Sequence, residues 1–168
     1  MKEKRYSCCP VFIMVLVFMC FSVSVFGETI CLYTRFSEEN SAPEAVEYFS
    51  VLEGGVMDAF FEEGHIIFNT PFKDLPKDPY GKSSSSVFLS RNGGASYLLE
   101  VTMTLEAAGS KKIQLVRVDF CFMNLVGDRE VGRDSFPVDL LRLDSSRPEI
   151  IAYSVGREIG IRALRMLN

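Results

Sequence analysis

From Thr29 to Phe36 the residues alternate, with Ile30, Leu32, Thr34 and Phe36 on one face of an expected strand. The period then changes. Val46, Phe49, Leu52, Val56 and Phe60 recur near the 3.6 spacing, with Met57 and Phe61 widening the stripe, so a helix is expected from about residue 42 to 63. Ser41-Ala42-Pro43-Glu44 reads as its capping box, and Gly64 as its stop. Gly54-Gly55 in mid-helix implies a bend or a tight approach to the sheet. His65–Asn69 is a short apolar strand. Between Thr70 and Lys82, Pro71, Pro76 and Pro79 exclude regular helix, and a loop is expected. The serines Ser83–Ser86 extend that loop or lead into a short strand Val87-Phe88-Leu89. A turn is then expected at Arg91-Asn92-Gly93-Gly94.

The clearest alternation runs from Tyr97 to Glu106. Leu99, Val101, Met103 and Leu105 point one way, and Glu100, Thr102, Thr104 and Glu106 the other: a strand with one wet face. After a turn at Gly109-Ser110, Ile113–Leu125 returns with Val116, Val118, Phe120 and Phe122 inward. Ile113 and Leu115 lie on the opposite parity, which implies a bulge or a one-residue change of register near Leu115. Gly127-Asp128 turns the chain again, and Glu130–Val138 completes an antiparallel meander. A second capped helix, Ser146-Arg147-Pro148-Glu149 onward, carries Ile151, Val155, Ile159, Ala163 and Met166 on one stripe. Its small residues Ala152, Gly156 and Gly160 suit a close approach to the first helix or to the sheet. The fold class expected is α/β in the α+β sense: a mixed, largely antiparallel sheet with two long helices on one face. The Glu100, Thr102 and Thr104 face would then be open to a partner.

The chain before Glu28 has a different character. Lys2, Lys4 and Arg5 precede 11 uninterrupted apolar residues, Val11–Phe21, and Val25-Phe26-Gly27 supplies small-enough residues for a peptidase. Residues 1–27 therefore read as a signal peptide or N-terminal anchor, and 28–168 as one mixed α/β domain. Cleaved signal, retained anchor and a lipid anchor on Cys20 are the three forms considered. Met19 is bulky for lipoprotein processing. All three take the folded part out of the cytosol, to the periplasm or another exported location.

Charge and cysteine content sharpen this. The chain carries a net charge of −4, and removal of the leader leaves 15 Lys and Arg against 21 Asp and Glu, or −6. With no basic stripe, nucleic acid is excluded as a partner. Of the cysteines only Cys31 and Cys121 lie beyond the leader; in an exported domain they form one disulfide or stay as two buried thiols.

Chemistry is sparse. His65 is the single histidine, no serine has a nucleophile-elbow frame, and the adjacent pairs Glu38-Glu39 and Glu62-Glu63 do not face each other. No cofactor or metal is implied, and no enzyme motif is present. Phe72, Leu75 and Tyr80 in the proline-restricted loop, with Glu100, Thr102 and Thr104, form the candidate partner-binding set. The alternatives are a carrier of a small apolar ligand or lipid, with a cavity between helix 42–63 and the sheet, and an enzyme with a site near His65.

Ala95-Ser96-Tyr97-Leu98-Leu99-Glu100-Val101, Val118–Leu125 and Gly127-Asp128-Arg129-Glu130-Val131 together carry a resemblance. This stretch resembles the sheet core of bacterial envelope accessory domains: the outer-membrane lipoprotein activators of penicillin-binding proteins, and the amino-terminal domain of the TolB type. Ser96 stands where those domains have an aspartate, and Asn124-Leu125-Val126-Gly127 stands at their later turn. The resemblance implies an assembly or protein-binding role without catalysis, with an envelope or periplasmic protein as partner.

Overall fold

The computed structural model describes residues 27–37, 45–70, 82–107, 113–138 and 148–167. The apolar leader up to Phe26, the cap at Ser41–Glu44, the loop residues Phe72, Leu75 and Tyr80, the turn at Gly109-Ser110 and Ser146-Arg147 lie outside the described residues. The elements in chain order are β1 (Thr29–Phe36), α1 (Ala45–Glu62), β2 (Ile66–Asn69), α2 (Lys82–Asn92), β3 (Tyr97–Ala107), β4 (Ile113–Asn124), β5 (Arg129–Pro137) and α3 (Pro148–Leu167).

One five-stranded sheet runs in the order β2-β1-β3-β4-β5. The β1 strand pairs parallel with β2 and with β3, and the longer ladders of β3 with β4 and of β4 with β5 are antiparallel. The sheet is thus mixed and largely antiparallel, as the alternation predicts. Parallel neighbours need crossovers, and crossovers are right-handed. From β1 to β2 the chain moves one way along the sheet, and from β2 past β1 to β3 it moves back. Equal handedness with opposite travel puts α1 and α2 on opposite faces.

The segment from Lys82 to Asn92 is therefore a correction to the sequence reading. It forms a helix, where the serines and Val87-Phe88-Leu89 suggested loop or strand. Among its described side chains the buried ones are Ser86 and Ser90, four apart, and the Ser90 hydroxyl donates to the Ser86 carbonyl at 2.6 Å. Small polar residues on the packed side bring the helix near the sheet without an apolar stripe. The expected turn at Arg91–Gly94 is the helix's C-terminal cap. Gly94 has φ 79°, its N–H bonds to the Arg91 carbonyl, and Ala95 N–H bonds to Ser90.

The main core lies between the sheet and the α1–α3 pair. Leu52, Val56 and Phe60 of α1 and Val155, Ile159 and Ala163 of α3 bury against Ile30, Leu32, Val101, Val118 and Phe122. The expected tight approach at Gly55 is to α3 and not to the sheet, since a Cβ there would come within 2.2 Å of the Tyr153 carbonyl oxygen. Polar links flank this seam. Tyr153 donates to Asp58 at 2.7 Å, and Arg157 grips both oxygens of Glu62 at 2.7 Å. The register of β3 on β4 shifts between Thr104 and Leu105, so the irregularity expected near Leu115 is present. It reverses one assignment: Leu115 enters the core and Val116 is the bulged, half-buried residue.

Candidate functional site

The α2 side of the sheet carries a second, smaller cluster: Cys31, Tyr33, Ala95, Leu98 and Leu125, flanked by Phe68, Val87 and Met123. Helix α2 covers this end alone among the described residues. Ser86 donates to Glu100 Oε1, and Arg91 ties the helix to the Leu125 carbonyl at 3.0 Å and to Asp128 at 2.8 Å. Beyond Glu100 the same face continues as polar rows across the strands. Register places Tyr33, Glu100, Cys121 and Arg133 side by side, then Arg35, Thr102, Asp119 and Ser135, then Thr104, Arg117 and Pro137.

Glu100, Thr102 and Thr104 thus share one face, as their alternation predicts, yet they differ in availability. Glu100 is engaged by α2. Thr102 accepts from Arg35 Nε at 3.0 Å, and Thr104 is half-buried at the far end of the face. The alternation of β3 alone missed Arg35, Arg117, Asp119, Arg133 and Ser135. The signal available for them was parity within each neighbouring strand: Arg35 lies two residues from Tyr33 on β1, Arg117 and Asp119 at even offsets from Cys121 on β4, and Arg133 and Ser135 two apart on β5. Arg117 donates to Asp119 through Nε and Nη2 at 3.0 and 2.9 Å. Burial opposes the Asp119 charge, but hydrogen bonds from Ser135 and Arg117 outweigh it and hold the carboxyl below its usual range. Arg133 pairs with Glu130 at 2.9 Å, and that bond lowers the Glu130 carboxyl as well.

These groups offer ion pairs and hydrogen bonds but no nucleophile. Burial, reinforced by the Glu130 charge, pushes the Cys121 thiol up to about 11, and burial likewise raises Tyr33. Cys31 and Cys121 are both free. They stand on β1 and β4 with β3 between them, two interstrand spacings (about 9–10 Å) apart across the sheet and offset along it as well, since Cys31 is level with Met123, whereas disulfides span roughly 4.4–6.8 Å between Cα atoms. Cys31 Sγ instead contacts Thr70 Oγ1 at 3.0 Å.

His65 lies at the far corner of the sheet from the polar rows. Its Nδ1 accepts the Glu28 backbone N–H at 3.0 Å, and its ring meets Phe60 edge-on. Among the described residues no group of three or more His, Cys, Asp or Glu could hold a metal ion. No helix among them is long and apolar enough to cross a membrane.

A family model described as "Uncharacterised protein" matches residues 32–168. No curated protein matches the chain. Several solved structures share the fold weakly. The PelC dodecamer from Paraburkholderia phytofirmans is 15% identical with a TM-score of 0.46, over 79% of this chain and 84% of that one. TolB from Acinetobacter baumannii is 13% identical with a TM-score of 0.42, over 82% of this chain and 28% of that one. The LpoB C-terminal domain from Salmonella enterica is 14% identical with a TM-score of 0.38, over 74% of this chain and 92% of that one. These likenesses are weak and concern the fold alone.

Proposed function

The chain belongs to the family of that model, and we propose that it is an exported, non-catalytic accessory protein of the cell envelope that binds a protein partner. The observation that carries this reading is the asymmetry of the sheet. Among the described residues, two long helices close one face, while α2 covers only one end of the other. Thr102, Thr104, Arg117, Asp119 and Ser135 are left as an ordered polar surface on regular strands. Rigid strands present such groups with little entropy lost on docking. The basic and apolar leader supports export. Phe72, Leu75 and Tyr80, which lie outside the described residues, remain part of the proposed contact set as apolar anchors.

Photo-crosslinking in the envelope of a diderm bacterium tests it. A crosslinking side chain at Thr104 or Arg117 should give a discrete protein adduct, and one at the exposed Glu149 of α3 should give none. The adduct should fade when Asp119 is changed to Arg. Equal labelling from both faces, or none from either, would remove this surface from the proposal.

A further inference from the structure

The leader pattern ends where the fold begins, and the geometry at that junction is specific. A Cβ on Gly27 would lie 1.9 Å from the Gly64 carbonyl oxygen and 2.7 Å from His65 Cα, so only glycine fits there. The next residue is held from both sides. Glu28 N–H donates to His65 Nδ1 at 3.0 Å, and the Glu28 carbonyl accepts from Ile66 N–H at 3.0 Å. His65 owes its position to the cap of α1. Gly64 has φ 81° and bonds to Phe61, while His65 N–H bonds to Phe60.

The same corner is the negative end of a helix dipole without its usual complement. The last turn of α1 contains no basic residue, and Glu62 and Glu63 follow one another there. Arg157 of α3 answers Glu62 but comes from the helix flank. A positive charge at the Glu28 nitrogen would stand at the end of α1, against an imidazole nitrogen that already accepts from that atom.

We propose that the Gly27–Glu28 bond is the processing site of the leader, and that His65 with the C-terminus of α1 forms the receptor for the new amino group. A peptidase of the export route hydrolyses the amide. Water adds across the bond, Gly27 leaves as a carboxylate on the leader, and Glu28 keeps the ammonium. One N–H of that ammonium donates to His65 Nδ1, so the imidazole carries its own proton on Nε2. Processing therefore exchanges an exit that tolerates no side chain for a charge that completes the helix end.

The test uses the full chain exported with its own leader from a diderm bacterium. Intact mass should show a product that begins at Glu28. Reductive 13C-methylation followed by NMR titration then reads the α-amino group apart from the lysines, which titrate near 10.4. In the folded protein its midpoint should lie about half a unit above that of the same amine in the urea-unfolded chain. The shift should shrink in His65→Leu and persist in His65→Gln, which retains an acceptor. A product that starts elsewhere, or keeps its leader, overturns the processing site. A product that starts at Glu28 with the same midpoint folded and unfolded overturns the receptor.

Discussion

A Cβ built on Gly156 would stand 2.0 Å from the carbonyl oxygen of Leu52, so α3 meets α1 backbone to backbone at that point. Gly55 makes the reciprocal contact toward Tyr153, and Gly160 faces the Ala59 methyl. The closeness of the pair lets Leu52, Val56, Val155 and Ile159 reach the sheet together and become fully buried. It also ties a spacing of small residues to the face of the sheet that the two long helices close.

Substitution at these glycines should therefore split by position. Gly156→Ala and Gly55→Ala should each destabilise by about 1–3 kcal/mol, because the clash is with backbone and exceeds what alanine gains in helix propensity. Gly54→Ala should stabilise by about 0.5–1 kcal/mol, since nothing lies within 4 Å of its Cβ position. Urea unfolding of the exported protein checks all three. A neutral Gly156→Ala would show that the helices separate at little cost.

Much of this architecture is legible in the residues, and the parts that are not have identifiable causes. Strands β3 and β4 announce themselves because one face is apolar and the other polar over ten or more positions. Helices α1 and α3 announce themselves through stripe and stop. Helix α2 does not, because its fully buried described positions are Ser86 and Ser90 and its first turn is rich in serine, a residue equally at home in loops. That omission also hid the topology. Without a helix between β2 and β3, nothing required β3 to lie parallel to β1. For the candidate site, the alternation of β3 located Thr102 and Thr104, but their neighbours Arg35, Asp119 and Ser135 come from register, which a single strand does not encode.

Arg162 should matter to stability more than any other surface arginine in a strand–helix contact. It bonds Asp134 of β5 at 2.8 Å and Glu158 at 2.7 Å, and its guanidinium lies 4.5 Å from the centre of the Phe136 ring. Its side chain is only 30% exposed, against 67% for Arg133. Arg162→Ala should cost about 1–2 kcal/mol, combining charge-assisted bonds with the ring contact and allowing for screening. Arg133→Ala should be close to neutral, because that exposed pair is screened by solvent. Thermal melts of the two variants at low and high salt measure the difference.

The same pair sets an acid response. Hydrogen bonding from Arg162 holds the Asp134 carboxyl below its usual range, and Asp119 is also lowered against its own burial. A carboxylate depressed in the folded state stabilises above its unfolded value of about 3.9, and this is lost as pH falls through the folded value. Stability should be flat in these groups from pH 7 to about 5 and decline below about 4. Asp134→Asn should be less stable at pH 7 and lose less on acidification. Urea midpoints from pH 7 to 3 give the comparison, and parallel curves for wild type and variant would count against the linkage.

Cys121 should behave as a slow thiol although half-buried on an open face. Its value near 11 leaves roughly 0.1% thiolate at pH 8, against about a quarter for an ordinary cysteine. Alkylation by iodoacetamide should accordingly run at least about tenfold slower than with a free thiol, the lost thiolate fraction being partly offset by the higher nucleophilicity of a more basic thiolate. Burial is the main cause and the Glu130 charge the next, so Glu130→Gln should speed the reaction while leaving it well below the free rate. Arg133→Ala should act in the opposite sense, because that guanidinium favours the thiolate. A fast native reaction would place Cys121 among the reactive groups of the polar face and reopen chemistry there; a slow one that answers to Glu130 leaves the face with contacts only.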